Sequence, residues 1–269
     1  MIRQPVVAGQ FYPGTASALD GEVRRCLSKA AERASEHTIL AMVPHAGYVY
    51  SGGVAGITLG RANLADTLLL LGPNHTGMGA ALAVWNRGKW LTPLCPLAID
   101  ENFADALTGA DSRLVPDHLA HVQEHSLEVL IPFLCVLKKT VTGVPVTVSE
   151  HRLSELAGVA RAVARVVRDR SEPVSMVVSS DMSHYVSADR AKELDSLALD
   201  AITRLDPVEL YATVRERGIS MCGVLPMTLG LMIALELGAK KAEVASYATS
   251  GDASGEFERV VGYAGVLVS

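Results

Sequence analysis

Aromatic residues are scarce in this 269-residue chain; Phe, Trp and Tyr together make up 5% of it. Its core must therefore be filled by Val, Leu, Ile and Ala. The chain also lacks any block of Lys and Arg, and its formal net charge is −5. That balance argues against a grip on nucleic acid, which needs concentrated cations. No apolar run is long enough to span a membrane. The nearest candidate, Gly223–Ala239, contains Pro226 and Glu236. The first residues, MIRQPVVAGQFYPG, hold no apolar signal region. The four cysteines, Cys26, Cys95, Cys135 and Cys222, form no CxxC pair. This pattern predicts reduced thiols and a cytoplasmic location, with no disulfide framework. A phosphate-binding GxxxxGK[ST] loop, a dinucleotide glycine fingerprint and a GxSxG nucleophile turn are all missing. So are Pro/Ser-rich linkers, charge blocks and internal repeats, which points to a single domain over residues 1–269.

What the chain does have is apolar residues, 49% of the total, in short continuous runs. Thr38–Val43, Thr67–Gly72, Ala80–Trp85, Val144–Ser149, Val174–Ser180, Ala242–Thr249 and Val260–Val268 read as strands. Unbroken apolar runs of this length mark strands covered on both faces, as in parallel sheets. Amphipathic segments alternate with them: Ser17–Ala34, Ser126–Leu137, Leu153–Arg170, Ala188–Leu205 and Pro207–Arg217. Gly223–Leu237 is apolar nearly all round and predicts a buried helix. The alternation implies an α/β fold, with a central mostly parallel sheet and helices on both faces.

Three of the strand runs end in polar residues that carry chemistry. TILAMV leads into PHAGYVYSGG with His45, TLLLLG into PNHTGMG with His75, and VSMVVSS into DMSHY with Asp181 and His184. In parallel sheets the functional crevice lies beyond the C-terminal strand ends, so these four side chains are expected to share a cleft. HVQEHSLEVLIPFL brings His121 and His125 to a helix start, with Glu128 in the first turn. Cys222 immediately precedes the buried helix, where a thiolate is favoured. His45, His75 and Cys222 together make a three-ligand set for one metal ion, leaving a position open for water or substrate.

Each residue alone has an ordinary reading. Histidines after strands and acids in turns hydrogen-bond locally, His121 belongs on the surface or behind the ligands, and Cys222 fits as a small core residue. His37, His118 and His151 look solvated, Cys135 reads as core, and Cys95 has no evident partner. The coincidence at three separate strand ends is what favours a site.

The stretches VAGQFYPG, PHAGYVYSG, LLLGPNHTG, EHSLEVLIPFL, VVSSDMSHY and MCGVLPM occur in the order found in the Memo family. The resemblance runs from about Val7 to the final GYAG, nearly the whole chain. It implies a fold similar to class III extradiol dioxygenases, which are non-haem iron enzymes. It also implies that His45 and His75 are metal ligands, that Cys222 replaces the dioxygenase carboxylate ligand, and that His184 acts as acid/base. Asp181 and His125 match polar residues of the same cleft, and Phe11 and Tyr12 an aromatic pair beside it. In animal relatives the cleft is described as binding phosphotyrosine peptides and as holding iron or copper. A thiolate in place of a carboxylate softens the site. The expected cofactor is one metal ion, iron first, with copper or zinc as alternatives.

These observations support a metal-dependent oxidoreductase acting on a small molecule. His184, steadied by Asp181, would move the proton, while His125 and Glu128 would shape the pocket. The alternative is a non-catalytic module that binds a peptide or phosphoanion in the same cleft. A third reading is metal-free catalysis by Cys222 with His184 or His125.

Overall fold

Every residue of Leu40–Val43, Thr67–Pro73 and Val174–Ser179 is buried. Their side chains divide between two cores, as the alternation of a strand requires. Leu40, Met42, Leu69, Leu71, Met176 and Val178 face one core. Ala41, Val43, Leu68, Leu70 and Val177 face the other. This explains why the runs are apolar throughout rather than alternating. The structure, a computed structural model, describes residues 1–269.

In chain order the strands are β1 (Ile2–Arg3), β2 (Leu40–Val43), β3 (Thr67–Pro73), β4 (Leu82–Val84), β5 (Lys89–Leu91) and β6 (Pro96–Ile99). They continue as β7 (Val115–Pro116), β8 (Thr142–Val148), β9 (Val174–Ser179), β10 (His184–Val186), β11 (Ala242–Thr249) and β12 (Val260–Val268). All twelve join one sheet with the path β1-β5-β6-β8-β3-β9-β2-β12-β10. Strands β8, β3, β9 and β2 are parallel neighbours. Strand β12 runs antiparallel to β2 and carries β11 at its other side.

The helices are α1 (Ala16–Leu27), α2 (Tyr48–Arg61), α3 (Glu101–Ala110), α4 (Leu119–Val122), α5 (Ile131–Leu137), α6 (Leu153–Arg168), α7 (Ala188–Thr203), α8 (Pro207–Glu216), α9 (Val224–Glu236) and α10 (Gly251–Ser254). Leu19 of α1, Leu59 of α2 and Phe133 of α5 fill one core, and Phe103 of α3, Val159 of α6 and Met227 of α9 the other. Both sheet faces are thus covered, as expected. No helix is long and apolar enough to cross a membrane.

The structure departs from the sequence reading at three points. The glycine-rich stretch after His45, not among the segments read as helices, forms helix α2. Its four glycines, Gly52, Gly53, Gly56 and Gly60, each cost about 1 kcal/mol against Ala in an isolated helix. Packing reverses that judgement. A Cβ on Gly56 would come within 2.4 Å of the Cys26 carbonyl carbon, and one on Gly60 within 2.5 Å of Ala30 Cβ. Small residues let α1 and α2 touch. Helix α1 itself stops at Leu27, well before Ala34, because residues 31–37 are all exposed and have no apolar face to dock.

The third correction concerns the thiols. Cys95 and Cys135 form a disulfide, while Cys26 and Cys222 are free. The bond ties the turn between β5 and β6 to α5, across 40 residues of sequence. Nothing in the spacing marks this pair, since the two cysteines meet only after β6 and α5 pack together. Alkylation of the denatured, unreduced protein should therefore label two thiols; four labelled thiols would show that the bond is not formed. A Cys95→Ser, Cys135→Ser double variant should lose stability on the order of 4 kcal/mol if loop entropy dominates, read by urea denaturation.

Candidate metal centre

His45 lies two residues beyond β2 and is 3% exposed. Its backbone N–H donates to Asp181 Oδ1 at 2.8 Å, and its Nδ1 lies 2.6 Å from Ser179 Oγ at the end of β9. The Ser179 hydroxyl in turn donates to the Ser126 carbonyl at 2.7 Å. His75 follows β3 in a tight turn built by Asn74. The Asn74 side-chain oxygen accepts from Gly77 N–H and the Thr76 hydroxyl, and its amide donates to the Met78 carbonyl. Gly77 and Gly79 both take positive φ, which suits residues without a Cβ.

Between these two loops sits the segment just ahead of α5. Glu124, with its side chain 1% exposed, accepts from His75 twice: the backbone N–H at 2.6 Å and Nδ1 at 3.0 Å. It also accepts from Ser126 N–H at 2.9 Å. His125 then stacks on His75 with ring centroids 5.3 Å apart, and stands 5.6 Å from the ring of His45. One nitrogen from each of His45, His75 and His125 lies within 4.8 Å of the other two, so this cluster could hold a metal ion.

Cys222 reaches the same place from the start of α9. Its Sγ lies 3.4 Å from His45 Nε2 and accepts the Asp181 N–H at 3.2 Å. The following residue must be small, because a Cβ on Gly223 would come within 2.4 Å of the Ser179 carbonyl. The sulfur falls outside the compact imidazole trio. Asp181 bonds to the His45 backbone and packs beside Cys222; no bond to His184 is formed. His184 opens β10 three residues after Asp181; its Nδ1 is held by the Ser220 carbonyl at 2.9 Å and its ring packs on Tyr185.

Glu128 closes the far wall. It is fully buried and accepts from Arg3, from Val6 N–H, from Val7 N–H and from the Tyr12 hydroxyl. These bonds fasten the N-terminal segment so that Phe11 meets the His125 ring edge-on at 4.9 Å. His121, expected on the surface or behind the ligands, is fully buried in a nest of Trp85, Trp90 and Arg3. Its Nε2 faces the Ala83 carbonyl at 3.0 Å. Glu124 was not foreseen from the sequence. Its one visible signal is an acid directly before His125, and its partner His75 is 49 positions away.

The charge states follow from these surroundings. Burial pushes His45 down to about 4, with the Asp181 charge only partly opposing. Burial likewise lowers His125 and takes His121 down to about 4. For His75 burial acts in the same direction, but the Glu124 bond and charge together outweigh it and raise its value. Burial also works against the Glu124 charge, yet the bonds from His75 and Ser126 bring its carboxyl down to about 2. Burial first, and the Asp181 charge second, push the Cys222 thiol well up. Near neutral pH His45 and His125 are therefore uncharged, Glu124 favours a proton on His75, and Cys222 stays a thiol.

Comparison with known proteins agrees with the motifs. The model for the family described as "Memo-like protein" matches residues 3–267. A "MEMO1 family protein" of Methanococcoides burtonii is 41% identical over 99% of this chain and 100% of that protein. Another from Aquifex aeolicus is 37% identical over 99% of this chain and 98% of that protein. Among solved structures, an uncharacterized protein, JW3007 from Escherichia coli K12, superposes with a TM-score of 0.53. It covers 84% of this chain and 99% of its own, at 14% identity, a likeness of fold alone.

Acid should destabilise the fold through its buried neutral rings. His45 and His121 have folded values near 4, below the ordinary 6.5. The unfolded chain thus takes up more protons between those limits, and stability present above pH 6.5 is lost as pH falls toward 4. Each ring contributes roughly 3 kcal/mol at most. Urea denaturation at steps from pH 7.5 to 4.5 should show the decline, and His121→Gln should reduce it. A flat profile would contradict the assignment.

Proposed function

This chain belongs to the Memo family, and on that footing we propose that it is a metal-dependent oxidoreductase with one ion, iron, held by His45, His75 and Cys222. The observation that carries the reading is the convergence of three imidazole nitrogens within 4.8 Å, with the Cys222 sulfur 3.4 Å from His45 Nε2. The donors fit a metal. Nitrogen and sulfur on one tetrahedral ion stand about 3.6 Å apart, given metal–N near 2.05 Å and metal–S near 2.3 Å. Burial keeps Cys222 a thiol without metal, and the Asp181 N–H aimed at the sulfur partly opposes this and would help it yield its proton to an ion. A soft, partly imidazole site suits iron, and also copper or zinc. When bound, the ion supplies a positive charge, a redox couple and an open position for a small substrate or dioxygen.

The chain's own residues supply the rest. His45 and His75 orient the site, braced by Ser179 and Glu124. His125 is neutral near pH 7 and stands beside both rings, placed to accept or return a proton. Phe11 covers one edge of His125 and narrows the approach of water. His184 keeps Nε2 free for an incoming group, because its Nδ1 is engaged by Ser220.

A second assignment exchanges Cys222 for His125 as third ligand, and the compact grouping of the three imidazoles favours it. A phosphoanion-binding module fits less well. Arg3, the guanidinium that reaches this region, is committed to Glu128 and to the carbonyls of His121 and Glu124.

Protein purified without added metal should carry close to one ion per chain. His45→Ala, His75→Ala and Cys222→Ala should each lose at least nine-tenths of it, whereas His125→Ala should keep most of it and lose turnover in an oxygen-uptake assay with catechols. Full metal content in the first three variants would remove the site. Loss of metal in His125→Ala, with retention in Cys222→Ala, would select the three-imidazole assignment.

A further inference from the structure

We infer that the short segment Glu124–Ser126 fixes the proton positions on His45 and His75, so that each presents a bare Nε2 before any metal arrives, while the proton on His125 stays free to move. The inference rests on the metal site proposed above and assigns residues that position its ligands.

At His45 the hydrogens decide the tautomer. Ser179 Oγ has a single hydrogen and two close neighbours, the Ser126 carbonyl at 2.7 Å and His45 Nδ1 at 2.6 Å. A carbonyl can only accept, so the hydroxyl hydrogen goes to Ser126. The oxygen then turns a lone pair toward Nδ1, and that nitrogen must carry the ring proton. In a neutral ring Nε2 is left bare, facing the Cys222 sulfur. The same holds at His75. Glu124 takes N–H groups from His75 and Ser126 as an ionised carboxylate, which has no hydrogen to give. The His75 Nδ1 at 3.0 Å must therefore be an N–H, and in the neutral ring its Nε2 is bare.

One three-residue segment thus serves both ligands, through the Glu124 side chain and the Ser126 carbonyl. Its placement is specified by the sheet. The Ser126 hydroxyl reaches the Pro73 carbonyl at the end of β3, and a Cβ on Gly72 would come within 2.9 Å of both Ser126 and Leu127. The central residue of the segment is treated differently. His125 forms no hydrogen bond through its ring, and its Nδ1 lies 3.7 Å from Glu124 Oε1, beyond bonding distance. Two rings are locked as acceptors and the third is left to exchange a proton. His121 serves as an internal contrast: the Ala83 carbonyl at Nε2 fixes the opposite tautomer.

The test is tautomer-sensitive NMR on histidine-15N-labelled, metal-free protein at pH 8. Long-range proton–nitrogen spectra should show Nδ1–H for His45 and His75, Nε2–H for His121 and an average of both for His125. Ser179→Ala should move His45 alone away from Nδ1–H, and Ser179→Thr should restore it. Glu124→Gln should release His75 alone. Each released variant should bind Co(II) about 10- to 100-fold more weakly, with the His121 signal unchanged as a check on folding. An Nε2 proton on His45 or His75 in the unaltered protein would overturn the inference, and so would a His45 signal unmoved by Ser179→Ala. If these variants do not fold, the unaltered protein's spectrum still decides. Tautomers as stated with no Co(II) binding would remove the metal reading and leave this one standing.

Discussion

A carboxylate shut away from water stays charged only if donors surround it. Glu124 and Glu128 are two such groups, four residues apart and both almost wholly buried. Each gathers its donors from distant parts of the chain. Glu124 draws in the loop after β3, and Glu128 draws in the N-terminal segment with Arg3, Val6, Val7 and Tyr12. The geometry of the site is in large part the geometry of these two desolvated acids finding partners. Taking one away would leave its donors buried and unpaired, and the Arg3 guanidinium is the costliest of them, on the order of 3–5 kcal/mol for a broken buried pair.

The sheet decides where this happens. Strands β3, β9 and β2 lie side by side and parallel, so their C-terminal ends emerge together. Between the ends of these strands the side chains are apolar but for Ser175 of β9, whose hydroxyl donates to the Thr38 carbonyl, and they face a helix layer. At the ends the backbone leaves the sheet, and polar residues become affordable because they can pair with one another. Ser179 on β9 then lies against His45 after β2, and Cys222 enters from α9 beneath the same edge. A rigid, dry platform and a polar rim follow from one constraint, and the rim is where a functional crevice belongs.

How much of this was legible in the sequence varies with the range of the interaction. The central strands could be read almost to their ends, because burial on both faces leaves an unbroken apolar run. His45, His75 and Asp181 could be placed at one edge from strand direction alone. Cys222 was visible as the residue before an apolar helix. Glu124 was not, since its role depends on His75, and no local pattern links an acid to a histidine across a crossover. Helix α2 was hidden by its own glycines, whose propensity speaks against a helix while their small size allows the contact with α1. The Cys95–Cys135 bond was hidden in the same way, joining two segments that are neighbours only after folding. His184 and Asp181 are three residues apart, yet each bonds elsewhere, so proximity in sequence misjudged their relation.

Whether His45, His75 and Cys222 hold the proposed ion is read most directly by X-ray absorption at the metal edge of the loaded protein. The account predicts a first shell with imidazole scattering from two rings and one sulfur at about 2.3 Å. A shell of oxygen atoms without imidazole, or three imidazoles without sulfur, would contradict it.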